Sequence, residues 1–200
     1  MIPTNELEDY PKRTSARRML PLALLGIAMI GGIVYGVLRP APVDDDAGKQ
    51  APEFSLDLLD GSGTLSSDDL RGEPVILNFW ASWCGPCIEE MPLFERKWRQ
   101  FRSDGLTIVG VLIRDTPDSA RTFIQEHDIT YPIVWDPDQE LAGALGVEPL
   151  PETFFIDSTW HLIGGVTEEL GDGSGATRTF GAIDEADLQE RIEQLLEGAT

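Results

Sequence analysis

Apolar and polar positions follow two regimes along this chain. Met19–Leu38 is a single apolar run without a charge, and its twenty residues are enough for a helix to cross a hydrocarbon core of about 30 Å. From residue 51 the apolar residues fall instead into short blocks separated by amphipathic stretches, the alternation of an α/β domain. Val75–Trp80 and Leu106–Ile113 are nearly continuous apolar runs, so they read as central strands buried on both faces. Glu53–Asp57 and Thr64–Leu65 read as short strands around the turn Asp60–Gly63. Ser66–Leu70 reads as a capped helical turn ending at Gly72. Helices are predicted from Cys87 to Arg102 with a kink at Pro92, from Thr116–Pro117 to His127, over Gln139–Leu145, and over Asp184–Glu197. Ile133–Trp135 supplies a further strand, and Thr153–Asp157 with Leu162–Val166 a terminal hairpin. Thr167–Gly181 reads as a Gly-rich loop, and no internal repeat is present.

Charge orients the apolar run. Lys12, Arg13, Arg17 and Arg18 lie on its N-terminal side, which predicts a cytoplasmic tail (1–18), an anchor (19–38) and an exported remainder. A cleaved signal peptide is the competing reading. The run is longer than the usual apolar region of about 7–15 residues and no Ala-x-Ala site follows, so an uncleaved anchor is expected. Residues 39–50, with Pro40 and Asp44–Asp46, have linker composition, and the domain is expected over 51–200. Of the 200 residues, those from Ala51 onward hold nine Lys/Arg against twenty-nine Asp/Glu, which is the whole net charge of −20. Such a balance excludes nucleic acid and an electrostatic hold on anionic lipid as ligands.

Chemistry concentrates at Asn78–Pro92, which holds both cysteines, Cys84 and Cys87, between a strand and a helix. Three readings compete. A zinc half-site needs further ligands, and the two histidines, His127 and His161, have no finger-like spacing to the pair. Inert buried thiols need neither the intervening Gly85–Pro86 nor a helix start. A redox dithiol accounts for both, because unpaired N–H groups and the positive helix end favour a thiolate. On this reading Cys84 is the outer nucleophile and Cys87, one turn in, resolves the mixed disulfide. Gly85 allows close approach, and Pro86 is tolerated in the first turn. No metal and no cofactor beyond the Cys84–Cys87 disulfide is expected.

Trp83–Cys87 (Trp-Cys-Gly-Pro-Cys) resembles the active-site signature of the thioredoxin superfamily. Ala51–Gly61 resembles the opening segment shared by the wider redoxin group, and Pro151–Asp157 the cis-proline segment and strand of the TlpA, ResA and CcmG branch. That branch comprises membrane-anchored thiol-disulfide oxidoreductases of cytochrome c maturation, and the resemblance spans about residues 50–197. It implies a thioredoxin-like α/β fold with a central mixed sheet, behind an N-terminal transmembrane helix. It also implies a cis Pro151 opposite the dithiol, with the Leu150 backbone pairing to a client strand. Trp83, Gly85 and Pro86 would complete the docking surface. Asn78 departs from thioredoxin, which has a titrating Asp there, so proton transfer must come from elsewhere. Glu90, three residues after Cys87, resembles the acid beside the dithiol in ResA-type proteins and faces the same side of the helix. Glu89 should face elsewhere, Trp80 reads as core, and Glu152 reads as a solvated loop acid.

The activity implied is reduction of protein disulfides outside the bacterial plasma membrane, with apocytochrome c as client and a CcdA- or DsbD-like membrane electron donor. The alternatives are a general extracytoplasmic reductase or oxidase, a peroxiredoxin-type peroxidase, and a non-catalytic apocytochrome-binding protein. A Cys-Gly-Pro-Cys pair is not the usual setting of a peroxidatic cysteine.

Overall fold

The structure, a computed structural model, describes residues 48–163 and 178–198. The expected tail, anchor and most of the linker lie outside them, as do most of the 167–181 loop and the end of the expected 162–166 strand. Among the described residues no helix is long and apolar enough to cross a membrane. The strands are β1 (Ser55–Leu58), β2 (Thr64–Ser66), β3 (Val75–Trp80), β4 (Thr107–Leu112), β5 (Ile133–Trp135), β6 (Glu152–Ile156) and β7 (Arg178–Phe180). The helices are α1 (Ser67–Leu70), α2 (Gly85–Phe101), α3 (Pro117–Glu126), α4 (Glu140–Ala144) and α5 (Glu185–Gly198), and a 3-10 turn, Arg102–Asp104, extends α2.

The strands form one mixed sheet in the order β2-β1-β5-β4-β3-β6-β7. β3, β4 and β5 run parallel, while β6 pairs antiparallel with β3. Every residue of β3 and of β4 is buried, as a strand covered on both faces requires. The two-residue period of a strand then sorts side chains between two cores. Ile76, Trp80 and Phe155 point to one, with Met91 and Phe94 of α2 and Leu188 and Ile192 of α5. Val75, Leu77, Phe79 and Phe154 point to the other, with Leu141 and Trp160.

Several element bounds differ from expectation by a residue or two. α2 begins at Gly85 rather than Cys87, because Cys84 itself caps it, and like the expected helix it runs through Pro92. The expected terminal hairpin begins as read, with Ile156 and Leu162 in an antiparallel bridge, Asp157 N donating to His161 O and Ile163 N to Phe155 O. The ladder along Glu152–Phe154 comes from β7, and the end of the expected 162–166 strand lies outside the described residues. Thr177-Arg178-Thr179-Phe180 carries the β-branched and aromatic residues that suit a strand; the glycines before it conceal the pattern.

Gly110 in β4 sits where strand meets ring. A Cβ there would crowd Ile133 Cδ1 and lie 3.1 Å from Trp80 Nε1 and 3.2 Å from Tyr131 Cε2. Gly110→Ala is expected to cost about 1–3 kcal/mol by overpacking, read as a lower urea midpoint with an unchanged m-value. An unshifted midpoint would show that the surrounding rings move aside freely.

Candidate active site

β3 delivers the chain to the site. After Trp80 the backbone turns through Ala81–Trp83, and Cys84, in extended conformation (φ −85°, ψ 105°), becomes the N-cap of α2. Its Sγ accepts a hydrogen bond from the Cys87 N–H at 3.3 Å, so a free helix-end donor already points at this sulfur. Cys84 and Cys87 form a disulfide, with Cα atoms 5.3 Å apart. Cys84 keeps 5% of its surface accessible and Cys87 none, which matches the outer and inner order expected from sequence. Pro86 occupies the first turn, where its missing N–H leaves no bond unmade. No neighbouring atom lies within 4 Å of a Cβ built on Gly85, so the folded chain itself leaves the space above that residue open.

The turn is clamped from the β4 side. Ile113 N donates to Trp80 O at 3.2 Å, and Ser82 N to Asp115 Oδ2 at 2.6 Å. Trp83 is 60% exposed, yet its indole N–H is fixed to Arg114 O at 2.9 Å. Trp80 is core as expected, tilted against Phe123 with centroids 5.5 Å apart.

β6 brings in the facing wall. Its register pairs Phe79 with Glu152, so Leu150–Pro151 arrives one step beyond, at the end of the sheet where the dithiol turn begins. The Leu150–Pro151 peptide is cis. Pro151 O accepts from Gly181 N at 3.0 Å, tying this loop to the end of β7. Glu152 is not a solvated loop acid: it is fully buried as the first residue of β6, between Phe79 and Phe180 in register.

Glu90 and Glu89 separate as the helix geometry requires, Glu90 inward and Glu89 exposed. Only 3% of Glu90 is accessible. One carboxylate oxygen accepts from Asn78 Nδ2 at 2.7 Å and the other from Ile183 N at 3.0 Å. Asn78 also donates to Thr153 Oγ1 at 3.1 Å. Burial disfavours the charged form and outweighs these two donors, raising the Glu90 carboxyl to about 7. The non-titrating Asn78 therefore holds a titrating group in place. Thr153 is legible in retrospect, as the register partner of Asn78, whereas nothing in the sequence points to the Ile183 N–H. Among the described residues no cluster of His, Cys, Asp or Glu could hold a metal ion.

The AhpC/TSA family matches residues 47–163. The chain belongs to the AhpC/TSA family. It is similar to the thiol-disulfide oxidoreductase ResA of Bacillus subtilis (strain 168), 31% identical over 73% of this chain and 81% of that protein. A ResA of Bacillus cereus is 32% identical over 78% of this chain and 94% of the relative. Among solved structures, a thiol:disulfide interchange protein of the thioredoxin family from Chlorobium tepidum TLS superposes with a TM-score of 0.63. It is 26% identical, over 76% of this chain and 99% of that one. With the Cys84–Cys87 disulfide at a helix start, this AhpC/TSA member is a thiol-disulfide oxidoreductase of thioredoxin-like fold.

Proposed function

We propose that the protein reduces protein disulfides on the outer side of a bacterial plasma membrane, the cysteine pair of apocytochrome c among them. The observation that carries this reading is the disulfide at the N-terminus of α2, with Cys84 the more accessible sulfur. In the reduced protein, the Cys84 thiolate attacks one client sulfur and expels the other as a thiolate, which takes up a proton. Cys87, as its thiolate, then attacks Cys84 Sγ and expels the first client sulfur. The client gains two electrons and two protons, and the dithiol becomes the disulfide. A membrane dithiol donor of the CcdA or DsbD kind would return the electron pair. Glu90 is proposed to take the proton as Cys87 ionises, since a carboxyl raised to about 7 can exchange protons at neutral pH. Cis Pro151 and the Leu150 backbone are proposed to receive the client as an added strand, with Trp83, Gly85 and Pro86 forming the other side.

Insulin reduction by the full-length protein and a redox titration test the direction. A dithiol potential near that of thioredoxin, about −270 mV, fits a reductant, and one near −120 mV would make the protein an oxidant. Fractionation and protease protection of the full-length chain test the anchor over 19–38.

A further inference from the structure

β4 is followed by a residue in an unusual conformation. Arg114 is left-handed, with φ 54°, a region that non-glycine residues seldom enter. Gln139, the residue before α4, is left-handed too, with φ 55°. The two are joined, Arg114 Nε donating to Gln139 Oε1 at 2.8 Å. The rest of the guanidinium reaches a third segment: Nη1 donates to Glu148 O at 2.8 Å and Nη2 to Val147 O at 3.3 Å. That segment leads directly into Leu150–Pro151. On its other side, the Arg114 carbonyl holds the Trp83 indole, and the adjacent Asp115 holds the Ser82 N–H. In a strongly acidic domain these guanidinium donors go to neutral amide and carbonyl oxygens. One residue thus ties the exposed tryptophan of the dithiol turn, 31 residues before it, to the loop carrying the cis-proline, 34 residues after it.

We propose that Arg114 is a positioning residue for client docking, a latch that holds Trp83 and the 147–150 segment at a set separation, ready to grip an extended client segment while Cys84 attacks. The inference rests on the function proposed above. The Glu148 carbonyl lies at the surface and rehydrates when the guanidinium is removed, while the Val147 carbonyl is part-buried, and the main loss is of order in the loop. A client must then restore that order as it binds, which appears in KM rather than in the chemical step.

Two substitutions separate the latch's halves. Arg114→Gly loses the guanidinium and also frees the backbone whose carbonyl holds Trp83. Arg114→Ala loses only the guanidinium, since it keeps the Cβ that Arg114 already carries at positive φ. With insulin as the client and the full-length protein, KM is expected to rise about fivefold in R114A and about tenfold or more in R114G. kcat should stay within about threefold. Arg114→Lys, the mildest change, keeps one donor and should show a KM rise of about two- to threefold; it serves if the other variants fold poorly. A KM within experimental error of wild type in every folded variant overturns the latch, as does a fall confined to kcat. If the wild-type protein itself reduces no insulin, the proposed function falls first and the latch falls with it.

Discussion

Cys84→Ser lowers insulin reduction on the order of a thousandfold or more, the scale on which loss of a covalent nucleophile acts. Serine keeps the shape of the N-cap, and its oxygen still accepts the Cys87 N–H that now meets Cys84 Sγ. The variant should therefore fold normally while lacking a group that ionises near neutral pH. Cys87→Ser is expected to behave differently. Its Cys84 keeps the helix-end environment and attacks, but nothing resolves the product, so client and protein accumulate as one mixed disulfide. Non-reducing electrophoresis after incubation with an oxidised client shows that adduct as a band lost on adding dithiothreitol. Equal inactivity of both variants with no trapped adduct would sink the assignment of Cys84 as attacker and Cys87 as resolver. Peroxide consumption offers a second reading of Cys84→Ser. A peroxidase centred on Cys84 would lose that activity too, whereas a disulfide reductase has little to lose.

The central sheet was legible because its signal is unambiguous. Six consecutive buried positions in β3 leave an apolar run that no surface element would carry. Boundaries were harder where tertiary structure decides. A cysteine is not among the residues that usually mark an N-cap, so the pattern points to a helix start at Cys87 although the sulfur of Cys84, three residues earlier, caps it. β7 was hidden for a different reason. Three residues beside a glycine-rich run have too little periodicity to read as a strand, and Arg178–Phe180 becomes one only because β6 offers an open edge.

The site divides the same way. The cysteine pair is a local motif and reads directly, whereas the cis state of Pro151 comes to the sequence only through the family resemblance. Glu90 was half legible: helix spacing put it on the inner face, but its contact with Asn78 needs the sheet to bring residues twelve apart together. Glu152 misled because two prolines just before it suggest a loop, whereas the strand begins at Glu152 itself and buries it. Arg114 left no trace in the pattern, since its partners, the Trp83 indole, the Gln139 amide and the Val147 and Glu148 carbonyls, are all twenty-five or more residues away.

Wild-type protein in the oxidised state is expected to lose stability as pH rises from about 4.5 to about 7, and Glu90→Gln is expected to remove that slope. The sign follows from proton counting. In the unfolded chain Glu90 titrates near its ordinary value of 4.5, and in the fold near 7. Between those values the folded protein holds a proton that the unfolded chain has released, so unfolding becomes easier with rising pH. The penalty is absent below 4.5 and complete above 7, reaching about 3 kcal/mol at 1.36 kcal/mol for each pH unit of displacement. Glu95, on the same helix, shows that burial alone does not decide the outcome. It is also buried, at 6% exposure, yet its carboxyl is held below the ordinary value. Burial pushes it up, but the Thr130 hydroxyl and N–H and the Arg99 guanidinium outweigh that push. Among the described residues Glu90 receives only an amide and one backbone N–H, with no cation to offset the cost. Any stability that Glu95 adds is lost below pH 4.5, so it leaves the Glu90 window clear. In Glu90→Gln a side-chain amide meets two donors, so one contact is lost, at about 1–3 kcal/mol, by an amount that does not vary across the window. Urea unfolding of the full-length protein between pH 4.5 and 8 separates the two effects. A wild-type curve that is flat there, or a slope that survives in Glu90→Gln, would mean that the buried carboxylate is ionised at little cost and holds no proton for the dithiol at neutral pH.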